Sequence, residues 1–192
     1  MCSSDLNKCW ITLERQWKAG RIGSRQCLTG QLRGLYITKK RLDDYLSCIK
    51  LDPYFRKLIF YLNSKKVKLA ILSDNFDYII RRLLKRKGFS GIRVYSNRLQ
   101  FSRDRLMPSF PLENKSCRIC AHCKTDSIKR VSKNGSKIIY IGDGRSDICP
   151  ARKADIIFAK DALLDYCREN NLDYIPYRSL KTVYAYLKRS LG

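Results

Sequence analysis

The chain has 192 residues with an apolar fraction of 44%, enough for one hydrophobic core, or one core plus a small insertion. Forty Lys and Arg against seventeen Asp and Glu give a formal net charge of +23, which attracts polyanions and keeps a nucleic-acid partner in view. The composition excludes a bilayer-spanning helix, since no run is long and apolar enough, and argues against a disulfide scaffold, since nine cysteines is an odd number and no secretion signal precedes them.

The basic residues are scattered, in Lys39 to Arg41, Lys65 to Lys68, Arg81 to Lys87 and Lys181 to Arg189, mostly on the polar sides of apparent helices. No nucleic-acid motif accompanies them, so solvated faces are the simpler explanation. The opening Met1-Cys-Ser-Ser-Asp-Leu has no basic-then-apolar leader pattern, and the expectation is a soluble, cytoplasmic protein with reduced thiols and no membrane partner.

Leu6, Trp10, Leu13 and Trp17 recur at helical spacing, with Asp5 as cap and Gly20 as stop. Ser24 is placed to cap a second helix carrying Leu28, Leu32 and Leu35, and Thr38 a third carrying Leu42, Tyr45, Leu46 and Ile49. Asp52-Pro53 is a cap followed by proline at the first helical position, opening a helix with Phe55, Leu58, Ile59 and Leu62 inward. The period then changes. Val67 to Leu72 predicts a strand, Ser73-Asp74-Asn75 a polar turn at its carboxyl end, and Phe76, Ile79, Ile80, Leu83 and Leu84 a helix stopped at Gly88. Ser73 therefore sits beside a helix N-terminus that can hold an anion, although a turn and cap role explains it equally well.

Gly91 to Phe101 predicts two short strands around a turn at Ser96-Asn97-Arg98, with Pro108 and Pro111 in an irregular loop beyond. Cys117, Cys120, His122 and Cys123 then put four soft ligands within seven residues. Structural zinc normally joins two separated ligand pairs, and no second pair is evident, so inward-packed thiols compete with a metal here. Lys124 precedes a helix capped by Thr125 or Asp126, from where it can reach a bound phosphate as a point charge. Lys137 to Ile141 predicts a buried strand, after which Gly142 and Gly144 allow a sharp turn around Asp143, and Ser146 or Asp147 caps a short helix. Carboxylates four residues apart at a strand's carboxyl end suit a hard cation such as Mg²⁺; the plainer reading is a strand-to-helix turn with a capping Asp. Asp155 to Ala159 is a further strand, Ala162 to Asn171 a helix, Tyr174 to Tyr177 an extended piece and Ser179 to Arg189 a closing helix. This alternation after residue 66 predicts an α/β fold with a doubly wound parallel sheet.

Leu72-Ser73-Asp74-Asn75, Lys124 and Ile141-Gly-Asp143-Gly-Arg-Ser-Asp147 together resemble the haloacid dehalogenase-like superfamily of Mg²⁺-dependent phosphatases. Trp17 to Cys27, Leu51 to Phe55, the Cys-x-x-Cys-x-x-Cys-Lys loop and Ala154 to Asp161 are similar to one branch of it. That branch holds methionine-salvage enzymes that dephosphorylate a methylthiopentenyl 1-phosphate, with relatives of phosphoserine and phosphocholine phosphatases. The resemblance implies a helical cap subdomain over residues 1–50 and a Rossmann-like core over 51–192. It implies Ser73, Lys124 and Asp143 as catalytic residues, Ser73, Asn75 and Lys124 at the phosphate, and Asp143 with Asp147 on Mg²⁺. Arg25 and Asn75 are candidates for substrate contact, with surface or capping roles as alternatives. A small phosphorylated metabolite is the implied substrate; the oligomeric state is not indicated.

One departure weighs against these matches. The family begins with a strand ending in Asp-x-Asp-Gly-Thr, which supplies the nucleophile, and the 192 residues contain no such run. The expectation is a chain truncated before its first central strand, with hydrolysis lost or impaired because no in-line carboxylate is supplied. The alternatives are a phosphate-binding pseudo-enzyme and a basic nucleic-acid-associated protein.

Overall fold

A computed structural model describes residues 9–117 and 119–192; Asp5 and Leu6, assigned above to the start of the first helix, lie outside the described residues. In chain order the elements are α1 (Cys9–Lys18), α2 (Ser24–Arg33), α3 (Lys39–Cys48), α4 (Phe55–Ser64), β1 (Ala70–Phe76), α5 (Asp77–Arg86), β2 (Arg93–Ser102) and β3 (Arg105–Ser109). They continue with α6 (Lys124–Val131), β4 (Ile139–Gly142), α7 (Ile148–Ala151), β5 (Ile156–Ala159), α8 (Asp161–Glu169), β6 (Ile175–Pro176) and α9 (Leu180–Ser190). The architecture is α/β, as the alternating periods predict. Its strands form two three-stranded sheets, ordered β1-β2-β3 and β4-β5-β6. The chain divides into two compact units, one of Met1–Ile49 with Ile71–Cys123 and one of Lys50–Ala70 with Lys124–Gly192. Among the described residues no helix is long and apolar enough to cross a membrane.

In the first unit, Leu42, Leu46, Phe76, Leu99 and Leu106 form the buried core, with Leu28, Leu32 and Leu35 of the second-helix stripe packed against it. Side chains of this size stabilise by roughly 1.5–3 kcal/mol each when buried. Trp10 and Tyr45 of the predicted apolar stripes are exposed, and α1 contributes no buried residue. Thr38 caps α3 as expected, accepting from the Arg41 N–H at 3.3 Å. Ser24 does not cap α2. It is buried as the first helical residue, and its Oγ accepts from the Ala121 N–H at 2.6 Å and donates to the Ile119 carbonyl at 3.3 Å, so it pins the cysteine-rich loop instead. Asp43 joins α3 to α5, taking the Arg82 guanidinium at 3.0 and 2.8 Å and the Tyr78 hydroxyl at 2.7 Å. The Tyr78 bond, opposed by burial and aided by Arg82 and Lys39, holds the Asp43 carboxyl below its usual range. Burial, then Asp43, pushes Tyr78 up to about 12.

Three strand boundaries differ from the sequence expectation. β1 runs over Ala70–Phe76, so Ser73 to Asn75 lie inside a strand rather than in a turn behind it. β2 continues unbroken through Ser96-Asn97-Arg98, because Asn97 is fully buried and donates its side-chain amide to the Asp74 carbonyl of β1 at 2.6 Å. The turn falls instead at Arg103-Asp104, where Arg103 has φ +55°, and Pro108 pairs with Leu99 within β3. β3 is an edge strand of its sheet, the position where a residue without an N–H is tolerated.

In the second unit β4, β5 and β6 are parallel, with Ile139 to Gly142 in register with Ile156 to Ala159. The core gathers Leu58 and Leu62 of α4, Phe158 of β5, and Val183 and Leu187 of α9. Asp52 works at two places: its Oδ1 accepts from the Tyr54 N–H at 2.8 Å ahead of α4, and its Oδ2 accepts from the Leu180 N–H at 3.0 Å. The first turn of α9 is thereby satisfied by Asp52 across the unit, and not by Ser179, whose side chain makes no capping bond.

Candidate active site

β4 alternates in burial, with Tyr140 and Gly142 turned inward and Ile139 and Ile141 partly covered. This period of two brings Tyr140 and Gly142 to one face of the strand. The chain then passes through Asp143 and Gly144 into a 3₁₀ turn, Arg145–Asp147, which returns Asp147 toward that face. A Cβ on Gly142 would lie 2.8 Å from the Asp147 Cβ and 2.9 Å from a Tyr140 ring carbon. Neither Gly142 nor Gly144 has a positive φ, so the sharp turn expected of them is replaced by a requirement for space at Gly142.

Asp147 is buried, and both of its oxygens are engaged. Oδ1 accepts from the Lys124 ammonium at 2.6 Å and from the Tyr140 hydroxyl at 2.7 Å. Oδ2 accepts from the Asp143 N–H at 3.0 Å and the Gly144 N–H at 2.9 Å. Burial by itself raises its pKa, but the Lys124 charge and these bonds outweigh burial and hold the carboxyl below its usual range. Its side chain thus reaches back to the loop and makes no cap bond to α7.

Lys124 is the first residue of α6, so neither Thr125 nor Asp126 caps that helix. Its side chain is 7% exposed, and its ammonium donates to the Ser146 Oγ at 2.9 Å as well as to Asp147. An ammonium has three donors, so one is left for a further acceptor. The Asp143 carboxylate lies apart from this buried pair, 58% exposed, with Oδ2 3.7 Å from the Lys160 ammonium. Lys160 also lies 3.6 Å from Asp161 and 5.7 Å from the centre of the Tyr177 ring. Burial, followed by the charges of Asp143, Asp147, Asp161 and Asp52, pushes Tyr177 well above its ordinary value.

Ser73 and Asn75 belong to the first unit. The Ser73 Oγ accepts from the Asn75 N–H at 3.1 Å, leaving its own proton to donate, and Asn75 is exposed. The Ser73 carbonyl takes the Nδ1 proton of the fully buried His122 at 3.0 Å, and the His122 N–H donates to the Asp74 Oδ1 at 3.2 Å. His122 is thus bonded to the β1 backbone.

Among the described residues no three His, Cys, Asp or Glu side chains are grouped to hold a metal ion. With Asp147 fully engaged, Asp143 is the open carboxylate of the Gly-Asp-Gly loop. That fits the low end of what Mg²⁺ takes from a protein, one or two carboxylates completed by substrate phosphate and water. Tyr140 and Lys160 were not singled out by the sequence. The available signal for Tyr140 was that a buried phenol needs a partner for its hydroxyl; nothing local indicates that the partner is Asp147.

A Gly-Asp-Gly loop at the carboxyl end of a parallel strand, beside a buried lysine, is the arrangement that the resemblance to haloacid dehalogenase-like phosphatases implies for this fold. Solved phosphoserine phosphatases share it. A phospho-aspartyl intermediate analogue of phosphoserine phosphatase superposes with TM-score 0.71 at 18% identity, over 92% of this chain and 84% of that one. The phosphoserine phosphatase of T. onnurineus superposes with TM-score 0.67 at 17% identity, over 92% and 79%. The family described as Putative Phosphatase matches residues 26–169, and the chain belongs to that family. Among curated proteins, a 2-hydroxy-3-keto-5-methylthiopentenyl-1-phosphate phosphatase of Bacillus cereus is 29% identical over 144 residues, 72% of this chain and 64% of the relative. The namesake of Bacillus thuringiensis (strain Al Hakam) is 28% identical, over 71% and 63%. The chain therefore spans less than two thirds of the length of these relatives.

Proposed function

We propose that this chain recognises the phosphate of a small phosphorylated metabolite, with the chemistry of a phosphomonoesterase site. The observation that supports this most is Lys124: a buried ammonium held by Asp147 and Ser146, with one donor left for a phosphate oxygen. Asp147 positions Lys124 and, through the Asp143 and Gly144 N–H groups, the loop that presents the Asp143 carboxylate. Ser73 and Asn75 lie in the first unit, where the Ser73 hydroxyl proton and the Asn75 side-chain amide are donors suited to an anion. The division into a helical cap over residues 1–50 and a core over 51–192 belongs to the same reading.

Mg²⁺ fits this assignment with Asp143 as its protein ligand and Asp147 in support, and would neutralise charge on the phosphoryl oxygens when bound. The substrate class is a methylthiopentenyl 1-phosphate or a phosphoserine-like monoester, in keeping with the proteins the chain resembles. These 192 residues contain no Asp-x-Asp-Gly-Thr run, and positioned charge cannot replace an in-line nucleophile. The proposal is accordingly phosphate binding with little or no turnover. Two measurements test it: hydrolysis of p-nitrophenyl phosphate with Mg²⁺, against an Asp143→Asn control, and binding of inorganic phosphate to the chain and to Lys124→Met. Loss of a bound phosphate equivalent in Lys124→Met supports the assignment. Mg²⁺-dependent turnover abolished by Asp143→Asn would establish an active enzyme instead, and phosphate binding indifferent to Lys124 would remove the assignment.

A further inference from the structure

The first unit contains a cavity of about 730 Å³ that the phosphate chemistry does not use. Its wall is built by one side of α2, by Leu13 of α1 and by the loop from Glu113 leading to the cysteines; no residue of the Lys124–Asp147 cluster lines it. The volume falls within the range of small-molecule pockets, about 300–1,000 Å³.

The charges of the wall do not cancel. Arg25 is ion-paired with Glu113 and lies over the Phe110 ring at 5.6 Å, which holds the guanidinium in place and neutralises it. Arg33 and Lys115 also line the cavity, and neither forms an ion pair among the described residues. Three cations against one carboxylate leave the wall with a charge of +2. Gln26 and Thr29 add hydrogen-bonding groups, while Leu13 supplies an apolar patch. Leu13 of α1 packs over Gly30, where a Cβ would come within 2.7 Å of the Leu13 side chain.

We propose that this cavity is a binding site for a small dianionic metabolite, phosphorylated or dicarboxylic, held by Arg33 and Lys115 with the Arg25–Glu113 pair as a fixed wall. Occupancy can be read without knowing the natural ligand, because Cys117 and Cys120 line the same space. Cys48 is exposed elsewhere and serves as an internal control.

The experiment measures alkylation of each cysteine by iodoacetamide, a neutral reagent, at constant ionic strength. Inorganic phosphate, succinate or chloride is added to the full chain, and the labelled peptides are resolved by mass spectrometry. The expected result is that phosphate or succinate, but not chloride, slows labelling of Cys117, by about ten-fold at ten times its Kd. Cys48 should be unaffected. The stronger of the two protectants identifies the ligand class. The double variant Arg33→Glu/Lys115→Glu alters two exposed side chains, with a thermal melt to confirm folding, and should lose the protection; Lys124→Met should keep it. A Cys117 that resists labelling in the absence of any anion would show the cavity closed to small molecules and overturn the proposal. Protection that is absent, that spreads equally over all cysteines, or that survives in the double variant would overturn it as well. Loss of one bound phosphate equivalent in Lys124→Met, with Cys117 protection intact, would separate this site from the one proposed above.

Discussion

Replacing Asp147 by Asn tests the buried pair directly. The Lys124 and Asp147 side chains are 7% and 8% exposed, so solvent screens little of their interaction. An Asn of similar shape cannot serve both ends of the arrangement. If its oxygen faces Lys124 and Tyr140, its NH₂ meets the Asp143 and Gly144 N–H groups; flipped, it opposes the ammonium with donors. Removing one partner of a buried pair costs about 3–5 kcal/mol, which lowers the melting temperature of a domain this size by roughly 6–20 °C. The assay is thermal unfolding followed by circular dichroism at pH 7 and pH 3. Although burial pushes the Asp147 pKa up, Lys124 and the hydrogen bonds bring it below its ordinary value. Its contribution is therefore present in full above the unfolded carboxyl pKa of about 4 and fades as pH falls through the lower folded value. The difference between Asp147→Asn and wild type should shrink at pH 3. Melting temperatures within about 2 °C of each other at pH 7 would refute the reasoning, since that corresponds to less than about 1 kcal/mol.

Gly142→Ala would place a Cβ 2.8 Å from Asp147 and is expected to cost about 1–3 kcal/mol in urea unfolding, with loss of phosphate affinity through the displaced carboxylate. Ser24→Ala removes the acceptor of the Ala121 N–H and should destabilise by about 1–3 kcal/mol, accompanied by faster proteolysis in the loop around residue 119. Asp43→Asn should lower stability at pH 7 and flatten the acid limb of the pH–stability curve, since Asp43, with its pKa depressed, stabilises above about pH 4 and loses that effect on acidification. The same variant should bring the Tyr78 titration down from about 12 toward 10, followed by NMR; burial keeps part of the shift.

Local pattern was enough for the α/β architecture and for most helices. The stripe of Leu42 and Leu46, capped by Thr38, and the apolar runs ending at Ile141 and Ala159 report directly on which faces are buried. Patterns misled where a polar residue was satisfied from far away. Ser96-Asn97 reads as a turn because such residues bond their own backbone; here Asn97 is spent on the Asp74 carbonyl, and the strand continues. Pro108 reads as a loop until the sheet order shows that it sits on an edge.

The loop Gly142 to Asp147, its place at the end of an apolar strand, and Lys124 at a helix start are properties of the chain read residue by residue. Only the tertiary structure decided that the two carboxylates differ, Asp147 enclosed by Lys124, Tyr140 and two backbone N–H groups and Asp143 left exposed beside Lys160. The physical reason is that a carboxylate's role depends on which donors surround it. Those donors come from Lys124, more than twenty positions upstream, from the strand and from the loop itself, and no spacing rule specifies their approach to within a hydrogen bond.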